Sequence, residues 1–153
     1  MMRRPASPSR ERRLMADLKR HEGTWEGRYL HVDADGAMLD RHASRVVCAF
    51  PRSGPYAYRQ QNRFTWEDGR TEEADIGGVL DGGRLRFDTE TFSGEAWSRR
   101  GVVFLDTVRK DAPGLSFREV ILLGAGGLHR TRTWHWFEEG RCVRRTLCDE
   151  RMV

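Results

Sequence analysis

A glutamate and two arginines share alternating faces with large apolar residues, and this pattern predicts a buried ion pair. Glu119 stands at the centre of an alternating apolar run over 115–123, while Arg130 and Arg132 share a face with Trp134. Burying an unpaired carboxylate is costly, so Glu119 needs a cation or must be protonated. The remaining guanidinium would then position a ligand carboxylate or carbonyl beside Trp134. Two alternatives stay open: the pair fixes packing only, or a shift of one residue points Arg118 inward instead.

Neutral polar side chains alternate with aromatic ones in an earlier segment. Tyr58, Gln60 and Asn62 would share one face of a strand with three further aromatic residues, Tyr56, Phe64 and Trp66. In a β-barrel such a face either lines the cavity or meets solvent. Aromatic walls with hydrogen-bonding groups suit a flat or conjugated ligand, so we expect Tyr58, Gln60 and Asn62 to bind one. The alternative is that the two amides face solvent and the aromatic residues form an end cluster.

A histidine is the second candidate for general acid–base catalysis. His135 could act with Glu119 as a general acid or base, or could ligate haem, although a single histidine on a strand is more often structural. His129 lies on the same face, but six residues of extended strand separate the two rings by about 20 Å, too far to chelate one metal. With no tetrahedral set apparent around Cys142 or Cys148, we expect no metal site and no cofactor.

Hydrolytic motifs do not occur in the sequence. There is no Gly-x-Ser-x-Gly, no His-Glu-x-x-His and no plausible Cys/His nucleophile pair. The Gly124–Gly127 run joins two predicted strands, and no helix N-terminus follows it to bind a phosphate. An enzyme on this frame would therefore be a cyclase, isomerase or lyase without a cofactor.

The elements that position these residues are predicted from the hydrophobic pattern. The pattern indicates one helix, and after it apolar residues alternate with polar ones at a period of two, as in strands. Residues 1–8 are expected to be a disordered basic tail, and Ser9 caps a helix over 9–20 with Gly23 as its stop. Nine strands follow, joined by eight hairpin-like turns that include Ser93-Gly94. The strands are predicted at Thr24–Val32, Leu39–Phe50, Tyr56–Trp66, Thr71–Leu80, Arg84–Phe92, Val102–Arg109, Leu115–Leu123, Leu128–Phe137 and Arg141–Arg151.

Short consecutive links between strands favour an up-and-down antiparallel meander. A meander of eight to ten strands commonly hides its edges by closing into a barrel. We therefore predict an all-β, up-and-down antiparallel barrel with a short N-terminal helix, formed by residues 9–153 as a single domain.

The excess of positive charge lies almost entirely at the start of the chain. The 153 residues carry a net charge of +4, yet residues 1–20 alone carry +5 and the remainder −1. A nucleic-acid-binding domain spreads its positive patch over the folded surface, so we expect no nucleic-acid partner. With no apolar stretch long enough to span a membrane, no secretory signal pattern and three cysteines, we expect a cytoplasmic monomer or homodimer.

The sequence resembles a known superfamily at several points. Gly23-Thr24-Trp25 after a short helix resembles the signature of the calycins, the lipocalins and their relatives. The segments 21–27, 58–62, 131–137 and 144–147 look like an uncharacterised bacterial calycin-like family, which is distantly similar to the cyanobacterial bilin lyases of the S and U type. The resemblance implies an antiparallel barrel with a ligand cavity, in which Trp25 closes the base beneath a guanidinium. Arg144 or Arg145 could supply that cation, and we expect Arg145.

Two functions fit these patterns. The first is a barrel that binds a small, largely apolar or conjugated molecule, which could bear a carboxylate or carbonyl, as a carrier or accessory protein of a biosynthetic pathway. The alternative is an enzyme of the cyclase, isomerase or lyase type that acts on a reactive intermediate in the same cavity. In the enzyme, Glu119 or His135 would move the proton and Arg132 or Tyr58 would polarise a carbonyl.

Overall fold

The computed structural model describes residues 8–153, and these form one helix and ten antiparallel strands. The strands close into a barrel in which each pairs with its neighbours in sequence, and the first pairs with the last. The elements are α1 Pro8–Lys19, β1 Gly23–Asp33, β2 Met38–Ala49, β3 Tyr58–Thr65, β4 Thr71–Asp81, β5 Arg84–Asp88, β6 Phe92–Arg99, β7 Val102–Arg109, β8 Leu115–Leu123, β9 His129–Glu138 and β10 Arg141–Met152.

The predicted antiparallel barrel and its N-terminal helix are confirmed. The expected disordered tail, residues 1–8, lies outside the described residues apart from Pro8, where α1 begins. The described part of the chain contains no helix of the length and apolarity needed to cross a bilayer.

One strand was missed because a turn was predicted at Ser93-Gly94. Both residues lie inside β6, which pairs with β5 and β7. Gly94 is needed there for close approach rather than for a turn: a Cβ at this position would lie 2.3 Å from the carbonyl oxygen of Asp106 on β7. The turn between β5 and β6 instead spans 89–91, and the hydroxyl of Thr89 accepts a hydrogen bond from the Phe92 backbone at 3.1 Å.

Helix α1 covers one end of the barrel. Its buried residues Leu14 and Leu18 pack against Leu85, Phe87 and Val103, which point inward from β5 and β7. Antiparallel strands of this order place the β1–β2, β3–β4, β5–β6, β7–β8 and β9–β10 turns together at the opposite end. We call the helix-covered end the floor and the opposite end the mouth.

Strand β1 approaches β10 closely at Gly27. A Cβ there would lie 2.2 Å from the Asp149 carbonyl oxygen and 2.7 Å from Cγ of Glu150. Glycine therefore gives the buried Glu150 side chain its space. We expect Gly27→Ala to lower the free energy of unfolding by about 1–3 kcal/mol through overpacking, measured by urea denaturation. Gly124→Ala is the control, because its new Cβ would meet ordinary contacts at 3.4 Å and beyond. Equal stability of the two variants would contradict this explanation.

Candidate functional site

The barrel encloses a cavity of about 520 Å³. Its wall is mostly apolar and aromatic, and Leu18 of α1 borders its lower end. At the mouth it is bordered by partly exposed residues such as Leu39 and Asp40, so it opens away from the helix. The volume lies within the range of about 300–1,000 Å³ that is usual for small-molecule sites.

The predicted pair between Glu119 and an arginine lies in the cavity wall. Glu119 on β8 accepts hydrogen bonds from Arg132 on β9, at 2.9 Å from Nε and 3.4 Å from Nη2. The third guanidinium nitrogen, Nη1, donates to the hydroxyl of Tyr29 at 2.9 Å. All three residues are buried. Every nitrogen of Arg132 is therefore bound to the protein. Arg118 is exposed on the outer face of β8, so the alternative in which it points inward is wrong.

A second buried pair lies below the first. Arg130 donates from Nε to Glu150 at 2.7 Å, and its Nη1 lies 3.3 Å from Nδ1 of His21. Glu150 also lies 3.9 Å from Nη1 of Arg132. The four charges thus alternate in sign from Glu119 through Arg132 and Glu150 to Arg130, and their sum is zero. Glu150 was not predicted to be buried, because it stands in the charged run 149–151, and such a run is typical of a solvent-exposed strand end.

Arg130 forms the floor and does not border the cavity, which corrects its prediction as a ligand-binding residue. Its guanidinium carbon lies 4.4 Å above the ring centroid of Trp25. Trp25 is fully buried, and its Nε1 donates to the His21 carbonyl at 2.9 Å. The cation above Trp25 is therefore Arg130, and the expectation of Arg145 is wrong. Arg145 lies on the outward face of β10, one residue out of phase with the buried Thr146.

Tyr58, Gln60 and Asn62 point into the cavity from β3 and form a chain of hydrogen bonds. The Tyr58 hydroxyl contacts Oε1 of Gln60 at 2.7 Å, and Nε2 of Gln60 donates to Oδ1 of Asn62 at 2.9 Å. The hydroxyl also lies 3.2 Å from Sγ of the buried Cys48. Burial, and then the neighbouring thiol, hold the pKa of Tyr58 well above its ordinary value. Tyr58 is thus a neutral hydrogen-bonding group.

Trp134 lines the cavity and His135 does not. Trp134 is buried, and its Nε1 has no hydrogen-bond partner among residues 8–153. His135 is exposed on the outer face of β9. This position excludes His135 as a proton handler or a haem ligand within the cavity.

Residues that were not predicted gather at the mouth. His31 on β1 and Asp40 and His42 on β2 face the cavity, with one ligand atom from each within 4.8 Å of the others. His31 stands directly opposite Asp40 across the β1–β2 pair. The sequence carried a signal for this cluster. The Asp35-Gly36 turn joins the two strands as a hairpin, so the alternating residues His31, Asp40 and His42 fall on one face of it.

Arg144 also borders the mouth, and it differs from Arg130 and Arg132 in having no acidic partner within hydrogen-bonding distance among the described residues. Its guanidinium carbon lies 4.3 Å above the ring of Trp136, and its buried Nε has no hydrogen-bond partner in that part of the chain. Burial and the nearby charge of Arg109 lower its pKa, but an arginine stays protonated. The mouth therefore presents a positive charge toward the cavity.

The sequence matches no protein-family model, and no curated protein matches it. Several solved structures are similar in fold. The S-type phycobiliprotein lyase CPES from Guillardia theta has a TM-score of 0.70 at 13% identity, over 95% of this chain and 96% of the lyase. A protein of unknown function of the DUF3598 family from Nostoc punctiforme has a TM-score of 0.65 at 17% identity, over 98% of this chain. The alignment spans 51% of that longer protein, about half its length.

A third similar structure holds a ligand. The barrel mFAP2b, solved bound to DFHBI, has a TM-score of 0.51 at 12% identity, over 92% of this chain and 99% of that one. At these identities the likeness concerns the fold. The expected likeness to the S-type bilin lyases is therefore confirmed as a likeness of fold.

Proposed function

We propose that the protein binds a flat, largely apolar small molecule in its barrel, with an acidic or carbonyl group of the ligand directed to the mouth. The observation that carries this proposal is the 520 Å³ apolar cavity with the guanidinium of Arg144 at its opening, which has no acidic partner within hydrogen-bonding distance among residues 8–153. A mostly apolar wall with a few fixed polar groups is typical of small-molecule sites. A barrel of similar fold, mFAP2b, binds DFHBI.

The polar groups of the wall supply orientation for such a ligand. Trp134 Nε1 and the Thr107 hydroxyl are buried, line the cavity and have no hydrogen-bond partner among residues 8–153. A carbonyl or hydroxyl of the ligand would satisfy either group. Arg144 borders the same cavity at its mouth, where a planar guanidinium can bind a carboxylate through two parallel hydrogen bonds.

Binding is favoured over acid–base catalysis as the function of the cavity. Of the two expected proton handlers, His135 lies outside the barrel, and Glu119 accepts two hydrogen bonds from Arg132. A carboxylate held in this way is a poor general base, since a proton transfer would leave Arg132 without its counter-ion. We therefore propose a carrier or accessory role rather than a cyclase, isomerase or lyase.

Retinoic acid and retinol test the carboxylate preference, because the two share a flat conjugated chain and differ mainly in the terminal group. Binding is measured by the quenching of tryptophan fluorescence. We expect retinoic acid to bind about ten-fold more tightly than retinol, because one charge-assisted hydrogen bond contributes about that much affinity. Arg144→Gln should remove this preference and leave retinol binding unchanged.

Arg145→Gln is the matched control, because Arg145 is the next residue on the outward face of β10. It should keep the ten-fold preference of the unaltered protein. Failure of both retinoids to bind would contradict the cavity proposal, whereas equal binding of both would contradict the role of Arg144 alone.

A further inference from the structure

Three side chains at the mouth have the composition of a metal site. His31, Asp40 and His42 each bring one ligand atom to within 4.8 Å of the others, and Nδ1 of His42 lies 3.6 Å from Oδ2 of Asp40. Ligand atoms at 2.0–2.1 Å from a tetrahedral ion lie about 3.3 Å from one another. Small rotations of the side chains would therefore bring all three atoms onto one ion.

The position of His42 independently indicates a ligand. The residue is 9% exposed, and neither ring nitrogen has a hydrogen-bond partner among the described residues. Its ring is enclosed by other rings, with centroids at 4.5 Å for Trp66, 4.8 Å for Tyr29 and 5.0 Å for Phe64. A buried polar group without a partner is costly, and a metal ion at the mouth would satisfy one nitrogen.

The other two residues are held by groups of the kind that surround metal sites. Trp66 donates from Nε1 to both carboxylate oxygens of Asp40 at 3.0 Å. Nδ1 of His31 lies 2.7 Å from the Thr146 hydroxyl, which also accepts from Trp136 at 2.8 Å. A hydroxyl oxygen can accept both bonds. The tautomer of His31 that donates to Thr146 then keeps a lone pair on Nε2 for a metal.

Burial favours the neutral form of both imidazoles. Burial, followed by the charge of Arg144, lowers the pKa of His31 to about 4, and burial also lowers the pKa of His42. Neutral imidazole is the form that binds metals. The carboxylate of Asp40 would supply the negatively charged ligand of the set.

We propose that His31, Asp40 and His42 bind a divalent transition-metal ion at the mouth of the barrel, with the remaining coordination positions open to the cavity. Two imidazoles and one carboxylate suit Zn²⁺, Co²⁺ and Fe²⁺. The open positions would take an oxygen atom from a bound molecule, so the class of ligand is an oxygen donor such as a carboxylate, a carbonyl or water. As a Lewis acid the ion would polarise that oxygen.

Co²⁺ and Zn²⁺ are the probes for this site. The full chain is dialysed against EDTA, titrated with Co²⁺ while its visible absorption is recorded, and titrated with Zn²⁺ by calorimetry. We expect one ion per chain and the intense visible bands of cobalt in a low-coordinate site. Asp40→Asn and His31→Asn should each weaken Zn²⁺ binding by at least about 100-fold. Trp66→Phe removes the donor to Asp40 and keeps an aromatic ring beside His42, so it should weaken binding by about 10-fold.

His135→Asn is the matched control, because it removes a histidine from the outer face of the same barrel and should leave Zn²⁺ binding unchanged. Circular dichroism of each variant separates loss of the site from loss of the fold. Absence of stoichiometric binding, or binding that survives both Asp40→Asn and His31→Asn, would overturn the proposal. Retinoic acid binding measured in EDTA tests the cavity separately, so the two proposals fail independently.

Discussion

Arg132→Met is expected to lower the free energy of unfolding by about 3–5 kcal/mol, because it leaves the Glu119 carboxylate buried without a cation. Glu119 is 3% and Arg132 6% exposed, and the pair is joined by bonds of 2.9 and 3.4 Å. The variant also removes the donor to Tyr29. Urea denaturation followed by circular dichroism measures the loss.

The double variant Arg132→Met with Glu119→Leu separates the cost of an unpaired charge from the value of the pair. Removing both charges is expected to restore most of the stability, since a buried pair can be replaced by apolar residues at little cost. Arg41→Met is the control, because Arg41 pairs with Glu67 at 3.2 Å while both side chains are mostly exposed. That variant should change stability by less than about 1 kcal/mol. A loss as small as this for Arg132→Met would contradict the burial argument.

The Glu119–Arg132 pair could be predicted because it follows from the alternation of two adjacent strands. Each strand carries its own apolar face, so period two places Glu119 on the apolar face of β8 and Arg132 on that of β9, with Arg118 inward as the open alternative. The pairing of β8 with β9 puts Glu119 opposite Trp134, next to Arg132 on the same face. No information from beyond this hairpin is needed.

The cation above Trp25 could not be predicted in the same way. Arg130 and Trp25 stand on β9 and β1, which are separated by β10, so their contact depends on the tilt of the strands and the stagger of the closed barrel. The periodicity of the sequence indicates neither the tilt nor the stagger. Arg145 stands on a late strand, as the resemblance requires, yet it lies on the outer face.

Acid is expected to destabilise the floor of the barrel through His21. Burial, followed by the charges of Arg130, Arg132 and Arg20, lowers the pKa of His21 from 6.5 to about 3. The geometry agrees, because Nδ1 of His21 faces the Arg130 guanidinium at 3.3 Å and can only accept a hydrogen bond there. The folded protein therefore keeps this imidazole neutral.

The sign of the pH dependence follows from this difference. Between pH 6.5 and 3, His21 is protonated in the unfolded chain and stays unprotonated in the folded protein. The free energy of unfolding therefore falls as the pH falls through this window. Above pH 6.5 the contribution is constant. The slope approaches about 1.4 kcal/mol per pH unit, and the full effect is on the order of 5 kcal/mol at pH 3.

His21→Gln is expected to remove this part of the slope, because the amide oxygen can still accept from Arg130 but does not titrate. Urea denaturation at a series of pH values between 7 and 4 measures the slope. In His21→Gln the slope should correspond to nearly one proton fewer taken up on unfolding. The lowered pKa values of His31 and His42 contribute to the slope in both proteins, so the difference between the two curves isolates His21. His135→Gln, altered on the exposed outer face, should give the slope of the unaltered protein. An unchanged slope in His21→Gln would mean that His21 is charged in the folded barrel, and the hydrogen bond from Arg130 could not then exist.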